Sequence, residues 1–537
     1  MCVAWPYANG SLHVGQIAGA YLPGDIFARF HRLIGDDVLM VSGSDEHGTP
    51  ITVRAEQEKR SPKEITDHFH QEFLTSWRQL GISFDLFTRT GTENHRRVVH
   101  DLFLKLMGDG HITRGTMEAL YCAADRRFLP DRYVEGVCPH CGYDGARGDQ
   151  CDNCGRPLNA IELQRPRCRF CGAQPEVRET EHFFLQLQHF EAELKTWVAQ
   201  QTHWRATVSN ATRAFLEGGL HERAITRDIE WGVSIPVEGY ETKRIYVWFE
   251  ACTGYLSASI EWAQSRGDPD RWKDWWTGPN QTYYFIGKDN TFFHTIIWPA
   301  MLLGHGGLNL PYDVPANEYL TLENAKVSTS RNWAIWVPEF LQRYDPDPLR
   351  YMLAANMPET RDADFTWEEF IRRNNDELVA TWGNLVHRTL TFAGRNFDRR
   401  VPEASREVSD LVEARATEAF ATVRQLLAGC RFKEALRETM ALAQYGNRLL
   451  DELAPWRQIR EDRAACAATI YGLLTLINSL KTLTYPFLPF SAEKLHRLLG
   501  FEDELLAHGW GVEALAPGTP LPEPTPLFAK LEPDPSS

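Results

Sequence analysis

Seven of the eleven cysteines in this 537-residue chain fall between Cys122 and Cys171, mostly as CxxC pairs. Cys138-Pro139-His140-Cys141 and Cys151-Asp152-Asn153-Cys154 are nine residues apart, flanked by Gly142, Gly148 and Gly155. Four thiolates at that spacing close a tetrahedral Zn²⁺ site and leave no position for a substrate, so the site is structural. The third pair, Cys168-Arg169-Phe170-Cys171, has no fourth CxxC, but Cys122-Ala123-Ala124-Asp125 has the spacing with aspartate in the last place. An interlaced second metal site and a decayed one with free thiols fit that pattern equally well. Disulfides are disfavoured because no signal peptide is present. Cys2, Cys252, Cys430 and Cys466 stand apart and read as small buried hydrophobes.

Two further patterns suit phosphates. His13-Val14-Gly15-Gln16 follows a short first strand and Asn9-Gly10. Gly15 lets a ligand reach the backbone, and the helix N-terminus that follows favours anions. Lys326-Val327-Ser328-Thr329-Ser330-Arg331 combines two cations with hydroxyls, which suits a pyrophosphate whose charge grows as it leaves. Alone, His13 reads as helix packing and the second motif as a solvated loop. Their order around a split α/β pattern raises the weight of both, and it is a family resemblance, not the spacing, that implies His13, Gln16, Lys326, Ser328, Ser330 and Arg331 as catalytic candidates.

The elements that must hold these groups change in kind along the chain. Over 1–114, short apolar runs alternate with amphipathic stretches, as in a parallel sheet covered by helices. Val38–Val41 is the clearest strand and ends in Ser42-Gly43-Ser44-Asp45-Glu46-His47-Gly48, at the strand edge where open α/β sheets place ligands. The cysteine-rich insertion, 115–223, interrupts the sheet. Within 224–320, strand signals resume at Arg244–Phe249 and Tyr283–Ile286, the second followed by Gly287-Lys288-Asp289-Asn290. A connector domain spans 321–366 and reads as helical over 337–364. Over 367–515 only helical periodicity remains. Val408, Val412, Ala416, Ala419, Phe420, Val423 and Leu427 share one face there, and Gly429 is a stop. The tail, 516–537, is proline-rich with one apolar cluster, Leu527-Phe528, and reads as a strap on the surface.

Length implies roughly three or four domains. A hydrophobic content of 43% and an aromatic content of 12% exclude wholesale disorder. The net charge of −15 excludes a polyanion-binding surface over the whole molecule, so RNA contact must be local. No apolar run of about eighteen residues occurs. The expected setting is the cytoplasm, without a membrane.

Over nearly its whole length the chain resembles the methionyl-tRNA synthetases, a family of class I aminoacyl-tRNA synthetases, especially the type found in archaea and some bacteria. The resemblance rests on Ala4-Trp5-Pro6-Tyr7-Ala8-Asn9-Gly10, on 43–48 (GSDEHG) and on 228–236 (DIEWGVSIP). It rests also on Val247-Trp248-Phe249-Glu250-Ala251 with Tyr255, and on Phe285-Ile286-Gly287-Lys288-Asp289 with Phe293-His294. It implies an α/β fold: a split Rossmann-like class I synthetase catalytic domain with a zinc-knuckle insertion, followed by an all-α anticodon-binding helix bundle. It implies ATP-dependent activation of L-methionine to methionyl-adenylate, with Mg²⁺ accompanying ATP, and transfer to the terminal ribose of tRNA(Met) for initiation and elongation.

The same resemblance assigns residues. Methionine would be held by Ala4, Trp5, Tyr7, Val247, Trp248, Ala251, Tyr255, Phe293 and His294, with Asp45 on its ammonium; aromatic edges suit the thioether sulfur. ATP would meet His13, Gly15, Gly287, Lys326 and Thr329, with Asp289 on its ribose. Asn384, Arg388 and Trp456 would read the CAU anticodon, since amide, guanidinium and indole bond to and stack on unpaired bases. Without the resemblance Asn384 reads as a helix cap and Trp456 as a core tryptophan. Some family members carry two zincs in the insertion and others one, so Cys122, Asp125, Cys168 and Cys171 would form a weaker Cys₃Asp site. The insertion would position the acceptor end of the tRNA.

Three positions depart from the family pattern. The last histidine of the first motif is Gln16, the second lysine of the other is Thr329, and position 252, commonly proline, is Cys252. Gln16 keeps a donor, and Lys326 or Arg331 keeps positive charge, so the departures bear on rate. Two rivals remain. Other class I synthetases carry a much larger editing insertion (leucine, isoleucine, valine) or an active-site metal (cysteine). A non-catalytic RNA-binding paralogue is motivated by Gln16 and Thr329. A monomer is expected, because the β-barrel module through which some relatives dimerise does not follow the bundle.

Overall fold

The computed structural model describes the chain except 150, 152, 155, 157, 328–332, 404–406 and 533–537, with Glu407 by backbone alone. It forms two compact units. The first comprises Met1–Ser11, Leu39–Leu74 and Phe84–Ala316, the second Leu12–Val38, Thr75–Ser83 and Asn317–Ser537.

The first unit is built on a parallel sheet. Its strands are β1 (Cys2–Val3), β2 (Val41–Ser44), β3 (Leu86–Arg89) and, beyond the long insertion, the strand Tyr284–Gly287. Their order is Tyr284–Gly287, β1, β2, β3, with a further edge strand at Ala316–Asn317. Cys2 pairs with both Tyr284 and Val41, so β1 lies between the two sequence halves of the sheet. The order therefore reverses beside β1, and a ligand crevice opens at such a reversal, outside the carboxyl ends of the strands. Helices Glu93–Gly108 and Val247–Ser265 cover the sheet through Leu102, Phe103, Phe249 and Tyr255.

Two expected strands moved. The strand read at Val38–Val41 begins at Val41 and runs through the small residues Ser42 and Gly43, because Ser42, Gly43 and Ser44 pair with Phe87, Thr88 and Arg89. The run Arg244–Phe249 is a strand only over Arg244–Ile245; Tyr246 is an extended cap, and Val247 starts a 19-residue helix. Most of that helix is buried around its circumference, including Val247, Phe249, Ala251 and Cys252. It consequently shows no amphipathic period, and a short apolar run is then indistinguishable from a buried strand.

The insertion begins as a ribbon. Strands Ile112–Cys122 and Glu176–Leu185 pair antiparallel from Ile112↔Leu185 to Tyr121↔Glu176. Beyond it lies a three-stranded sheet of Val134–Val137, Ala146–Arg147 and Gln164–Cys168, which carries the cysteines.

The second unit is largely a helix bundle, with Glu407–Ala428, Phe432–Leu453 and Arg463–Thr484 at its centre. Helix Arg463–Thr484 is long and apolar enough to cross a membrane by composition alone, but 83% of its apolar window is buried in the bundle. Val412, Ala416, Phe420, Val423 and Leu427 point inward, and the residue that turns left-handed after the helix is Cys430 rather than Gly429. The connector is not helical throughout: Ala363–Phe365 runs parallel to Leu320–Leu322, which also pairs with Ala325–Lys326. The tail lies on the bundle. Phe528 packs on Trp382 at 5.3 Å between ring centroids, and Leu531 exchanges hydrogen bonds with Asn375.

The unit's separate segments are tied by one buried charge network. Arg350, fully buried, donates to Asp25 at 2.7 Å, to the carbonyl of Leu80 at 3.0 Å and to that of Phe487 at 2.7 Å. Asp25 also accepts from Arg29 at 3.0 Å and from the amide of Ser83 at 2.8 Å.

Candidate active site and metal clusters

In the first unit, a recess of about 340 Å³, counting the space at its mouth, opens at the carboxyl ends of β1, β2 and Tyr284–Gly287. The segment after β1 contributes Ala4, Trp5 and Tyr7, and Asp45 follows β2 directly. Helix Val247–Ser265 adds Trp248, Ala251 and Tyr255, and the turn after Tyr284–Gly287 adds His294. Eight expected methionine contacts thus line one cavity. Cys252 and Asn290 line it as well, and sequence reasoning assigned them no contact. The only hint for Cys252 was its departure from the family's proline.

Two expected contacts sit behind the wall. Phe293 stacks flat on Trp248, with centroids 4.2 Å apart and planes at 12°, and Val247 packs beneath Gly48. Trp5 explains the glycine of the β2 edge: a Cβ at Gly43 would lie 2.3 Å from its ring. Gly48 has φ 93, a left-handed backbone that ends the Asp45-Glu46-His47 turn and that glycine adopts without strain.

The polar groups of the recess have fixed roles. His294 Nδ1 donates to the Asn290 carbonyl at 2.9 Å, which leaves Nε2 to accept from the Tyr255 hydroxyl at 2.8 Å. Burial lowers His294 to about 4, so it is neutral. Asp45, 3% exposed, accepts a hydrogen bond from the His47 amide at 3.2 Å. Burial first, then the charges of Glu250 and Glu46, hold it well above the usual carboxylate range. Behind it, His47 Nδ1 lies 2.8 Å from Glu250, and His95 Nε2 lies 3.4 Å from the same oxygen. Gly287 ends its strand and Asp289 is exposed on the turn that follows.

The phosphate signatures belong to the second unit. The segment around His13 runs antiparallel to the chain just past the second signature: Val14 N donates to Ile335 O at 3.1 Å, and Val337 N to Leu12 O at 2.8 Å. His13 caps the short helix Val14–Gln16, and its ring meets Trp336 edge-on at 6.2 Å. Burial lowers its pKa to about 4, so it meets a ligand as a neutral ring. A Cβ at Gly15 would lie 3.0 Å from that ring and would crowd it. Gln16 has a task sequence reasoning missed. Its side-chain oxygen accepts from the His13 amide at 3.0 Å, closing the first turn as a capping glutamine does.

Lys326 is exposed at the end of a hairpin whose two-residue turn, Glu323 and Asn324, has φ 49 and 61. Its ammonium lies 5.3 Å from the Tyr319 ring. Ser328, Thr329, Ser330 and Arg331 lie outside the described residues.

Both cysteine groups are assembled. Cys138, Cys141, Cys151 and Cys154 have all sulfurs within 4.8 Å of one another, with Cys138–Cys154 at 3.9 Å and Cys141–Cys151 at 3.6 Å. A zinc–sulfur bond of about 2.3 Å gives a tetrahedral edge of roughly 3.8 Å, so the spacing fits a metal and is far too long for a disulfide. Cys122, Asp125, Cys168 and Cys171 form the second group, with Cys122–Cys171 at 3.5 Å and Cys168–Asp125 at 3.0 Å. The turns share a form: Gly142 and Gly172 follow their pairs at φ 75, and Arg126 follows Cys122–Asp125 at φ 53.

On the bundle, Asn384 is exposed at the start of helix Asn384–Asn396, and Arg388 is one turn on. The Arg388 guanidinium lies 5.6 Å from the Trp456 ring and bonds Asp451 at 2.9 Å. Trp456 is 42% exposed, so an aromatic face backed by a cation is open to solvent.

Comparisons with known proteins agree over the whole chain. The family described as tRNA synthetases class I (M) matches 1–390, and the anticodon binding domain of methionyl tRNA ligase matches 401–536. A methionine–tRNA ligase of Thermomicrobium roseum is 55% identical, covering 99% of this chain and 96% of the relative. One of Dehalococcoides mccartyi is 57% identical with the same coverage. Among solved structures, Mycobacterium tuberculosis methionyl-tRNA synthetase in complex with methionyl-adenylate matches with a TM-score of 0.81 and 25% identity, covering 98% of each chain.

Proposed function

The chain belongs to the class I methionyl-tRNA synthetases, and from that premise we propose how its own residues divide the work. It activates L-methionine with ATP and charges tRNA with the methionyl group. In the first step a methionine carboxylate oxygen attacks the α-phosphorus, the bond to the β-phosphate breaks, and pyrophosphate leaves. In the second, a ribose hydroxyl at the tRNA end attacks the adenylate carbonyl and AMP leaves. Neither step needs a protein nucleophile, so the residues act by alignment and charge stabilisation.

We assign the methionine side chain to Trp5, Trp248, Ala251 and Tyr255, with Ala4 and Tyr7 at the rim. Asp45 takes the ammonium. Tyr255 and His294 hold each other, so the pocket's end is fixed before the ligand arrives. Val247 and Phe293 support the wall rather than touch the ligand. His13, above Gly15, donates to the phosphates as a neutral ring, and Gly287 and Asp289 serve the nucleotide's base end and ribose. We assign the departing pyrophosphate to Lys326 together with Ser328, Thr329, Ser330 and Arg331. Mg²⁺ accompanying ATP would supply neutralisation of its phosphate charge. Gln16 acts through His13 as a positioning residue.

The four-cysteine group would hold Zn²⁺, which supplies a closed structural crosslink to the insertion. We propose a second, weaker Zn²⁺ at Cys122, Asp125, Cys168 and Cys171, and elemental analysis should find about two zincs per chain. Asn384, Arg388 and Trp456 read the anticodon of tRNA(Met). A single chain carries every residue assigned here, so we propose a cytoplasmic monomer, which sedimentation velocity tests.

One observation carries the reading: a recess that combines aromatic walls with one buried carboxylate matches a thioether amino acid and its ammonium. The test is aminoacylation of transcripts. Charging with methionine of a tRNA bearing a CAU anticodon, reduced at least tenfold by Trp456→Ala, is expected. Charging of a tRNA with any other amino acid would overturn the assignment.

A further inference from the structure

Asp45 is the one carboxylate among the described residues that lines the recess, and around it buried carboxylates outnumber cations. Asp45, Glu46 and Glu250 are 3%, 3% and 0% exposed. Two of them have cationic partners. Arg89 lies 2.5 Å from Glu46, and His47 lies 2.8 Å from Glu250. Among the described residues the Asp45 carboxylate accepts only the His47 amide, and no Lys, Arg or His side chain pairs with it.

The other titratable groups around Asp45 supply no positive charge. Burial raises the Tyr7 hydroxyl and the Cys252 thiol, so each stays neutral. Tyr255 donates its proton to His294, and burial keeps His294 neutral. On helix Glu93–Gly108, burial lowers His95 toward its neutral form. His47 is raised by Glu250, and that charge is already matched. A desolvated carboxyl beside an ionised one, with no cation of its own, keeps its proton.

We propose that, before methionine binds, Asp45 carries a proton held there by burial and by the ionised Glu250, and that the α-ammonium of methionine displaces it. The exchange balances: a neutral carboxylic acid and an ammonium become a carboxylate–ammonium pair, and one H⁺ passes to solvent. Glu250 is therefore a positioning residue that acts on the ligand through Asp45. The inference rests on the reading of Asp45 as the ammonium ligand. Methionine affinity then falls with acidity by up to about tenfold per pH unit while Asp45 keeps its proton.

The test is calorimetric titration of the full chain with methionine at pH 7, in two buffers of very different ionisation enthalpy. The difference in heat counts protons. Release approaching one proton per methionine, together with a Kd that weakens from pH 8 to pH 6, is the expected result. Binding with the same heat in both buffers would overturn the inference while leaving the ammonium reading intact; no binding would sink both. Asp45→Asn separates proton sources: binding that still releases a proton would place it elsewhere and overturn the proposal, whereas weakened binding without release supports it. In Glu250→Gln the release should drop and the pH dependence of methionine KM should flatten with kcat at pH 8 little changed, a pattern a purely structural role would not give.

Discussion

Asp25 in the second unit and Asp45 in the first are both buried aspartates, and the protein treats them in opposite ways. Asp25 is fully buried and bonded by Arg29, Arg350 and Ser83. Despite its burial, those partners hold it down to about 2. Asp45 has one amide and lies well above the usual carboxylate range. A buried charge is tolerated when it is paired and hydrogen-bonded. The pair at Asp25 is a structural tie between chain segments, whereas the carboxyl of Asp45, without a cationic side chain beside it among the described residues, is the one we assign to a substrate's ammonium.

The largest expected effect lies on the structural side. Arg350→Ala would leave Asp25 buried with one of its two arginine partners removed and should cost about 3–5 kcal/mol in denaturant unfolding. A loss under about 1 kcal/mol would show that the network is not the tie described. Asp45→Asn should do the reverse: stability unchanged or slightly higher, but kcat/KM for methionine down about 100-fold, since a hydrogen bond to a charged group is worth about 1.5–3 kcal/mol.

Acid should separate the two aspartates by sign. Asp25 has a folded pKa near 2, below its unfolded value of 3.8, so its contribution is present above pH 4 and is lost between about 4 and 2. Asp45 is raised, so its folded state favours the proton and its contribution fades as pH rises instead. Asp45→Asn should therefore raise stability at pH 8 more than at pH 4, and equal changes would contradict the assignment. The smallest effect is Gln16→Ala, which removes a cap and should cost about 1 kcal/mol. If Gln16→His gives faster pyrophosphate exchange at unchanged stability, the capping role is secondary to phosphate contact.

Sequence reading located the pocket better than the elements that carry it. Asp45, Trp5 and Tyr255 were legible because a resemblance fixed them residue by residue. The helix at Val247–Ser265 was partly read as a strand because burial around its circumference erased the helical period. The strand Ala363–Phe365 was missed because its partner, Leu320–Leu322, lies some forty residues earlier and three residues carry no pattern of their own. The membership of Leu12–Val38 in the second unit was hidden for a similar reason. It depends on pairing with Ile335–Val337 and on Arg350, both distant in sequence. The cysteine groups were legible because CxxC pairs show in the sequence itself, and the capping role of Gln16 was not, since a departure from a motif draws attention to what was lost.

The two departures at Gln16 and Thr329 leave the central claim, a working methionine-activating enzyme, to one assay. ATP–pyrophosphate exchange by the purified chain should depend on methionine, be at background with leucine, isoleucine, valine and cysteine, and rise in Thr329→Lys. No exchange with methionine, or exchange driven equally by another amino acid, would contradict the account.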